Sequence, residues 1–170
     1  YIPSEGCYLE ARDLSQIELR CLAWLVWQET GDRTMQALFE DGVDIHDGVQ
    51  QMLNIQDRRI AKNLNFAVTY GGDEQTLNQR VGLPLDVARQ HIANYWASFP
   101  GIKSYIDHIH RQIESEGYVR TILGRERRLR GHDSGEDWEL AKAKREGFNT
   151  VIQGSATEYL KRWQVRTAHH

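Results

Sequence analysis

Asp57-Arg58-Arg59-Ile60-Ala61-Lys62-Asn63-Leu64-Asn65-Phe66-Ala67-Val68-Thr69-Tyr70 runs without glycine or proline until Gly71-Gly72 stops it. At about 100° per residue this stretch sorts into two faces. With Arg58 at zero, Lys62, Phe66 and Tyr70 fall at about 40°, 80° and 120°, each one i,i+4 step along. Ile60, Leu64, Ala67 and Val68 fall at about 180° to 280°, which is a core face. The spacing predicts a helix over residues 57–71 that packs on one side and presents two cations, then two aromatics, on the other. Such a stripe suits a nucleotide: Arg and Lys near one end can hold a triphosphate, and an aromatic one turn on can meet sugar and base by stacking. A solvated basic face with two half-buried aromatics fits the helix equally well. The loop G-x-x-x-x-G-K-[ST] is absent, which argues against a P-loop ATPase.

Working outward, Ile17, Cys21, Leu22 and Leu25 recur at helical spacing after a short extended segment around Tyr8 to Arg12. Polar breaks near Gly31 and Gly42 separate two short helices, one with Met35, Leu38 and Phe39, the other with Val49, Met52 and Leu53. A helix is expected from about Pro84 to Phe99, stopped by Pro100-Gly101. The next carries Ile102, Tyr105, Ile106, Ile109 and Ile113 on one face and stops at Gly117. β-branched and aromatic residues flanking Leu123-Gly124 suggest a hairpin at about 118–130. The last segment reads as helix interrupted at Gly154, where Ser155 and Glu158 have the spacing of a capping box that would start a new helix. No repeat and no low-complexity tract is present.

The chain carries 21 Lys and Arg against 24 Asp and Glu, a net charge of −3, which counts against an indiscriminate polyanion binder. The charge is uneven, however. Arg120, Arg125, Arg127, Arg128 and Arg130 crowd one stretch, and Lys142, Lys144 and Arg145 follow. A basic patch on a mildly acidic chain can still hold a nucleic acid. Cys7 and Cys21 fit no disulfide framework or zinc spacing, and neither a secretory signal nor a long apolar run occurs, so the chain reads as intracellular with no membrane partner. It begins at Tyr1 and stops soon after a helical pattern, which reads as an excised piece.

Arg58-x3-Lys62-x7-Tyr70-Gly71 resembles motif B of family A DNA polymerases, and Asp13-Leu14-Ser15-Gln16-Ile17-Glu18-Leu19-Arg20 resembles their motif A, in the same order. Arg145-x3-Asn149-x3-Gln153-Gly154 resembles the family's helix that touches primer and template, and Asp44-Ile45-His46 a finger segment whose His lies near the triphosphate. Leu14 stands where an aromatic is usual, and Ala67 where a Gly is usual; neither removes a catalytic group.

The resemblance implies a mainly α fold with a small β component, the fingers of a right-hand polymerase plus the first part of its palm. Residues 1–29 would be partial palm, 30–140 fingers, and 141–170 helices returning to the palm. It implies DNA-directed synthesis from dNTPs on primer-template DNA, in the cytoplasm of a bacterium or a phage-infected cell. Asp13 would bind two Mg²⁺ ions about 4 Å apart, helped by the Leu14 carbonyl. Glu18 would block the ribose 2′-hydroxyl, and Gln16 would support this site or the primer-template. Arg58, Lys62 and His46 would hold the phosphates, with Lys62 also placed to protonate the leaving pyrophosphate. Phe66 would stack on the nucleotide and, lacking a hydroxyl, discriminate against dideoxynucleotides; Tyr70 would test pair geometry.

Arg145, Asn149 and Gln153 share an i,i+4,i+8 stripe. Minor-groove acceptors occur on every base pair, so these donors can check pair shape without reading sequence. Arg125 and Arg128 would bind DNA phosphates. Motif C, a strand turn with the second metal-binding carboxylate, would lie beyond Val165, so a fragment inactive alone is expected. The alternative is a non-catalytic DNA-binding polymerase relic or one half of a split polymerase.

Overall fold

The computed structural model describes residues 2, 4–8 and 13–167, so most of the extended segment expected before Asp13 lies outside the described residues. Among these the chain is mainly helical: α1 (Ile17–Thr30), α2 (Thr34–Glu40), α3 (Ile45–Met52), α4 (Arg58–Thr69), α5 (Glu74–Val81), α6 (Leu85–Ser98), α7 (Pro100–Glu116) and α8 (Asp137–Thr167), with strands β1 (Tyr118–Arg120) and β2 (Glu126–Arg128) before α8. No helix among the described residues is long and apolar enough to cross a membrane.

Short polar side chains start three of the helices. Asp44 accepts from the N–H groups of His46 and Asp47 to open α3, and Asp57 accepts from Arg59 N–H to open α4. α5, which periodicity passed over, begins at a reciprocal capping box between Asp73 and Thr76. Its single buried residue, Leu77, is too little apolar signal to betray a helix of 8 residues. Asp32 reaches further: it accepts from Thr34 N–H and Oγ1 at 2.8 and 2.6 Å, and from Gly101 N–H at 2.8 Å, tying the start of α2 to the first turn of α7. A Cβ at Gly101 would lie 2.4 Å from the Asp32 side chain, so only glycine allows that contact.

One continuous core joins the helices. Leu19, Leu22 and Val26 of α1 meet Ile102, Tyr105, Ile109 and Ile113 of α7 and Phe148, Val151 and Ile152 of α8, while Ile45, Val49, Leu64, Val68, Leu77 and Tyr95 fill its other part. The apolar face expected on α7 is buried, with Ile106 at its half-buried edge. Met52, expected to pack, is 43% exposed at the last turn of α3.

The expected hairpin forms, antiparallel with Tyr118 opposite Arg128. Gly124 turns it at φ 83°, a conformation that favours glycine.

The expected break at Gly154 does not occur, because α8 runs unbroken for 31 residues. Ser155 does not cap a new helix. Its Oγ donates back to Val151 O and accepts from Ile122 N–H at 2.9 Å, while Glu158 accepts from Thr121 Oγ1 at 2.7 Å. Gly154 serves close approach rather than termination: a Cβ there would lie 2.8 Å from Thr121 Cγ2. The pattern that resembled a cap is the seam between helix and hairpin.

Candidate functional site

The predicted two faces of α4 are present. Ala61, Leu64, Ala67 and Val68 are buried, Arg58 and Lys62 are exposed, and Phe66 and Tyr70 are half-buried. Ile60, expected in the core, is only partly buried against it. Phe66 and Tyr70 lie nearly parallel, 10° apart with centroids at 6.1 Å, and His46 of α3 is tilted against Phe66 at 5.8 Å. These three rings make a row whose members are within ordinary aromatic contact.

Tyr70 reaches across to α1, where its hydroxyl donates to the Glu18 carboxylate, with Gln153 of α8 on the same side. Burial, and then the Glu18 carboxylate, push the Tyr70 phenol above its usual range, so it remains a donor at neutral pH. The stem of Arg145 runs beside Gly71, where a Cβ would lie 3.4 Å from Arg145 Cγ. Three stretches far apart in sequence therefore meet at the end of α4.

A second junction forms at its start. Gln16 has φ 55° and ψ 33°, left-handed values that cost a non-glycine residue about 1–2 kcal/mol. Its amide donates to Asp44 Oδ2 at 2.7 Å, while Asp44 Oδ1 meets the Arg58 guanidinium at 2.9 Å. Arg58 Nε also pairs with Asp47. Burial works to raise the Asp44 pKa, but the His46 and Asp47 N–H groups, Gln16 and the Arg58 charge outweigh it and hold the carboxyl below its ordinary value.

His46 is buried and takes a hydrogen bond from Asn65 Nδ2 on Nδ1, at 3.0 Å. Burial, reinforced by the Arg58 and Lys62 charges and opposed by Asp44, lowers its pKa. The ring is therefore neutral at pH 7, and the tautomer that accepts from Asn65 on Nδ1 is the one that carries its proton on Nε2. Lys62 makes no salt bridge with any described residue and is the free cation of the α4 stripe.

Gln153 apart, the remaining predicted residues line other pockets. Asp13 and Leu14 line a cleft of about 600 Å³ whose walls include Ile17, Cys21, Trp24, Ile122 and Tyr159. Among the described residues no group of three His, Cys, Asp or Glu could hold a metal ion. Asn149 and Gln153 line a groove with Arg125 and Arg127, and the Asn149 Oδ1 is buried without a partner. Arg125 is engaged by Glu158 at 3.1 Å, whereas the Arg128 side chain is 90% exposed.

Sequence reasoning gave no role to Asp47 or Asn65. Asn65 offers a signal, since an Asn beside Phe66 in a helix interior competes with the backbone unless its side chain has another partner. Asp47 offers none.

The model of DNA polymerase family A matches residues 1–170. This chain belongs to DNA polymerase family A. It is 38% identical to DNA polymerase I of Chloroflexus aurantiacus over 169 residues, 95% of this chain and 17% of that protein. It is 34% identical to the thermostable DNA polymerase I of Thermus aquaticus over 174 residues, 98% of this chain and 20% of that protein. Among solved structures it is similar to the POL domain of Pol1 from M. smegmatis in complex with DNA primer-template and dNTP, with a TM-score of 0.78 and 29% identity over 88% of this chain and 27% of that one. The chain thus spans about a fifth of the curated relatives it matches.

Proposed function

We propose that this chain selects the incoming deoxynucleotide and grips the primer-template in a DNA-directed DNA polymerase of the bacterial or phage-infected cytoplasm. Residues 1–29 would form part of the palm, 30–140 the fingers and 141–170 the return to the palm. The observation that supports this best is the hydrogen bond from Tyr70 to Glu18, with the Arg145 stem beside the neighbouring Gly71. It unites the three motifs at one point, as nucleotide selection requires and as a solvated basic helix would not.

In this reading Arg58 and Lys62 hold the triphosphate, His46 adds its Nε2–H, and Lys62 delivers a proton to the departing pyrophosphate. Phe66 stacks on sugar and base. Glu18 occupies the place a ribose 2′-hydroxyl would need, and Tyr70 senses the templating pair. Gln16 steadies Asp44, and through it Arg58. Arg145, Asn149 and Gln153 check minor-groove shape, and Arg125 and Arg128 meet phosphates. Asp13 and the Leu14 carbonyl are the groups that would hold Mg²⁺, which when bound supplies Lewis-acid activation of the primer hydroxyl and of the leaving group.

This reading takes a second carboxylate from outside the described residues. The apolar wall beside Asp13 is where further palm could pack: Trp24 is 40% exposed and Tyr159 55%. Primer extension with Mg²⁺ and dNTPs, run with and without a polypeptide carrying motif C, tests the proposal. Extension is expected only with both. Extension by this chain alone would refute the need for a second carboxylate. Primer-template affinity indifferent to the matching dNTP would favour a binding relic.

A further inference from the structure

Arg58 is held by two carboxylates at once. Asp47 accepts from its Nε and Asp44 Oδ1 meets its Nη2 at 2.9 Å, so the guanidinium edge that offers these two donors side by side is divided between them. That edge is one of the forks by which an arginine grips a phosphate with two parallel bonds. The two acids are not equivalent. Asp44 also caps α3 and accepts from Gln16, so it keeps partners when Arg58 turns away. Asp47 has Arg58 as its one side-chain partner among the described residues, and its side chain is 45% exposed. The formal charges of Arg58 and Lys62 are thus matched by those of Asp44 and Asp47, with His46 neutral. A triphosphate meets no net positive charge at this end of the stripe until a carboxylate lets go.

We propose that Asp47 is a positioning residue that sets the phosphate affinity of the α4 stripe: it latches Arg58 through Nε, and a triphosphate binds by exchanging its own oxygens for that carboxylate. This rests on the proposed function for the identity of the ligand, whereas the exchange itself needs only a polyphosphate. Magnitude allows it. A half-exposed ion pair is weak, so a ligand with several negative charges can displace Asp47, yet the pair still opposes binding measurably. Once released, Asp47 lies in the first turn of α3, where the positive end of the helix tolerates its charge. The opposition falls equally on every triphosphate, so the latch sets affinity and leaves the choice among bases to other residues.

The test measures binding of inorganic tripolyphosphate and of a dNTP to the chain by titration calorimetry. Asp47→Asn, which keeps the shape and removes the charge, is expected to tighten tripolyphosphate about 1.5- to fivefold, the range set by one exposed ion pair. In an Arg58→Gln background that gain should largely vanish, because the partner of the latch is gone. Asp86→Asn, at an exposed acid of α6, changes the net charge equally and should leave affinity unchanged. A structural role for Asp47 would give the same change with or without Arg58. No binding of tripolyphosphate, no tightening by Asp47→Asn, or equal tightening in the Arg58→Gln background or by Asp86→Asn would overturn the proposal. Phe66→Ala separates the latch from the nucleotide reading, since it should weaken the dNTP and spare tripolyphosphate. If Asp47→Asn behaves as expected while Phe66→Ala leaves the dNTP unaffected, the latch stands and the nucleotide reading fails. If Phe66→Ala weakens the dNTP while Asp47→Asn is silent, the reverse holds.

Discussion

Asp44 Oδ1 lies 2.9 Å from the Arg58 guanidinium, and the same carboxylate caps α3 and accepts from Gln16. Two of its duties can be separated by magnitude. The pair with Arg58 is half exposed, and such pairs contribute about 0–1 kcal/mol. The N-cap contributes typically about 1 kcal/mol, and Asn caps as well as Asp. Asp44→Ala is therefore expected to destabilise the chain by about 1–2 kcal/mol, and Asp44→Asn by clearly less. Chemical denaturation of the two variants decides it. Equal losses would mean that charge, not capping, is the main contribution.

Acid should unfold the chain in two stages. His46, His91 and His110 have pKa values lowered chiefly by burial, so the unfolded chain takes up protons first as pH falls below its histidine value of about 6.5. Stability falls with pH through that window. Asp32 and Asp44 have lowered pKa values because hydrogen bonds outweigh burial, so their contribution is present above about 3.9 and is lost below it. Thermal melts from pH 7 to pH 3 should show both steps. A melting temperature that stays flat or rises between pH 7 and pH 5 would contradict the buried-histidine account.

Phe66 and Tyr70 stack at 10°, with ring centroids 6.1 Å apart. Given the proposed role, Phe66→Tyr in a polymerase carrying this segment should raise incorporation of dideoxynucleotides relative to deoxynucleotides. Chain-termination ratios on one template measure it. An unchanged ratio would remove Phe66 from the 3′ side of the nucleotide.

Much of this was legible because it is periodic. The two faces of α4 follow from a 3.6-residue repeat, and Gly31 and Gly117 end α1 and α7 in left-handed conformations. The misses are tertiary. Residues 16, 44 and 58, and residues 18 and 70, are joined by contacts between elements, and no spacing along one element encodes which carboxylate Tyr70 will meet. The motif order placed these residues in one site by likeness alone; the hydrogen bonds supply the physical connection. Ser155 and Glu158 were misread for the same reason, since a local capping pattern and a long-range seam to Thr121 use identical residue types.

That seam yields the sharpest test. Alanine is favoured over glycine inside a helix by about 1 kcal/mol, so Gly154→Ala should stabilise α8 if the position were ordinary. The added Cβ would instead lie 2.8 Å from Thr121 Cγ2. Thr121 cannot easily turn away: its Oγ1 donates to Glu158 at 2.7 Å and accepts from Arg125 N–H at 3.1 Å. Overpacking of this kind costs about 1–3 kcal/mol. Gly154→Ala is therefore expected to be neutral at best and destabilising by up to about 2 kcal/mol, as overpacking exceeds propensity. Thr121→Ser removes the clashing methyl and keeps the hydroxyl, so it should rescue Gly154→Ala, with a coupling of about 1 kcal/mol or more in a double-mutant cycle. Additive effects would show that the helix runs through Gly154 for some reason other than the close approach of the hairpin.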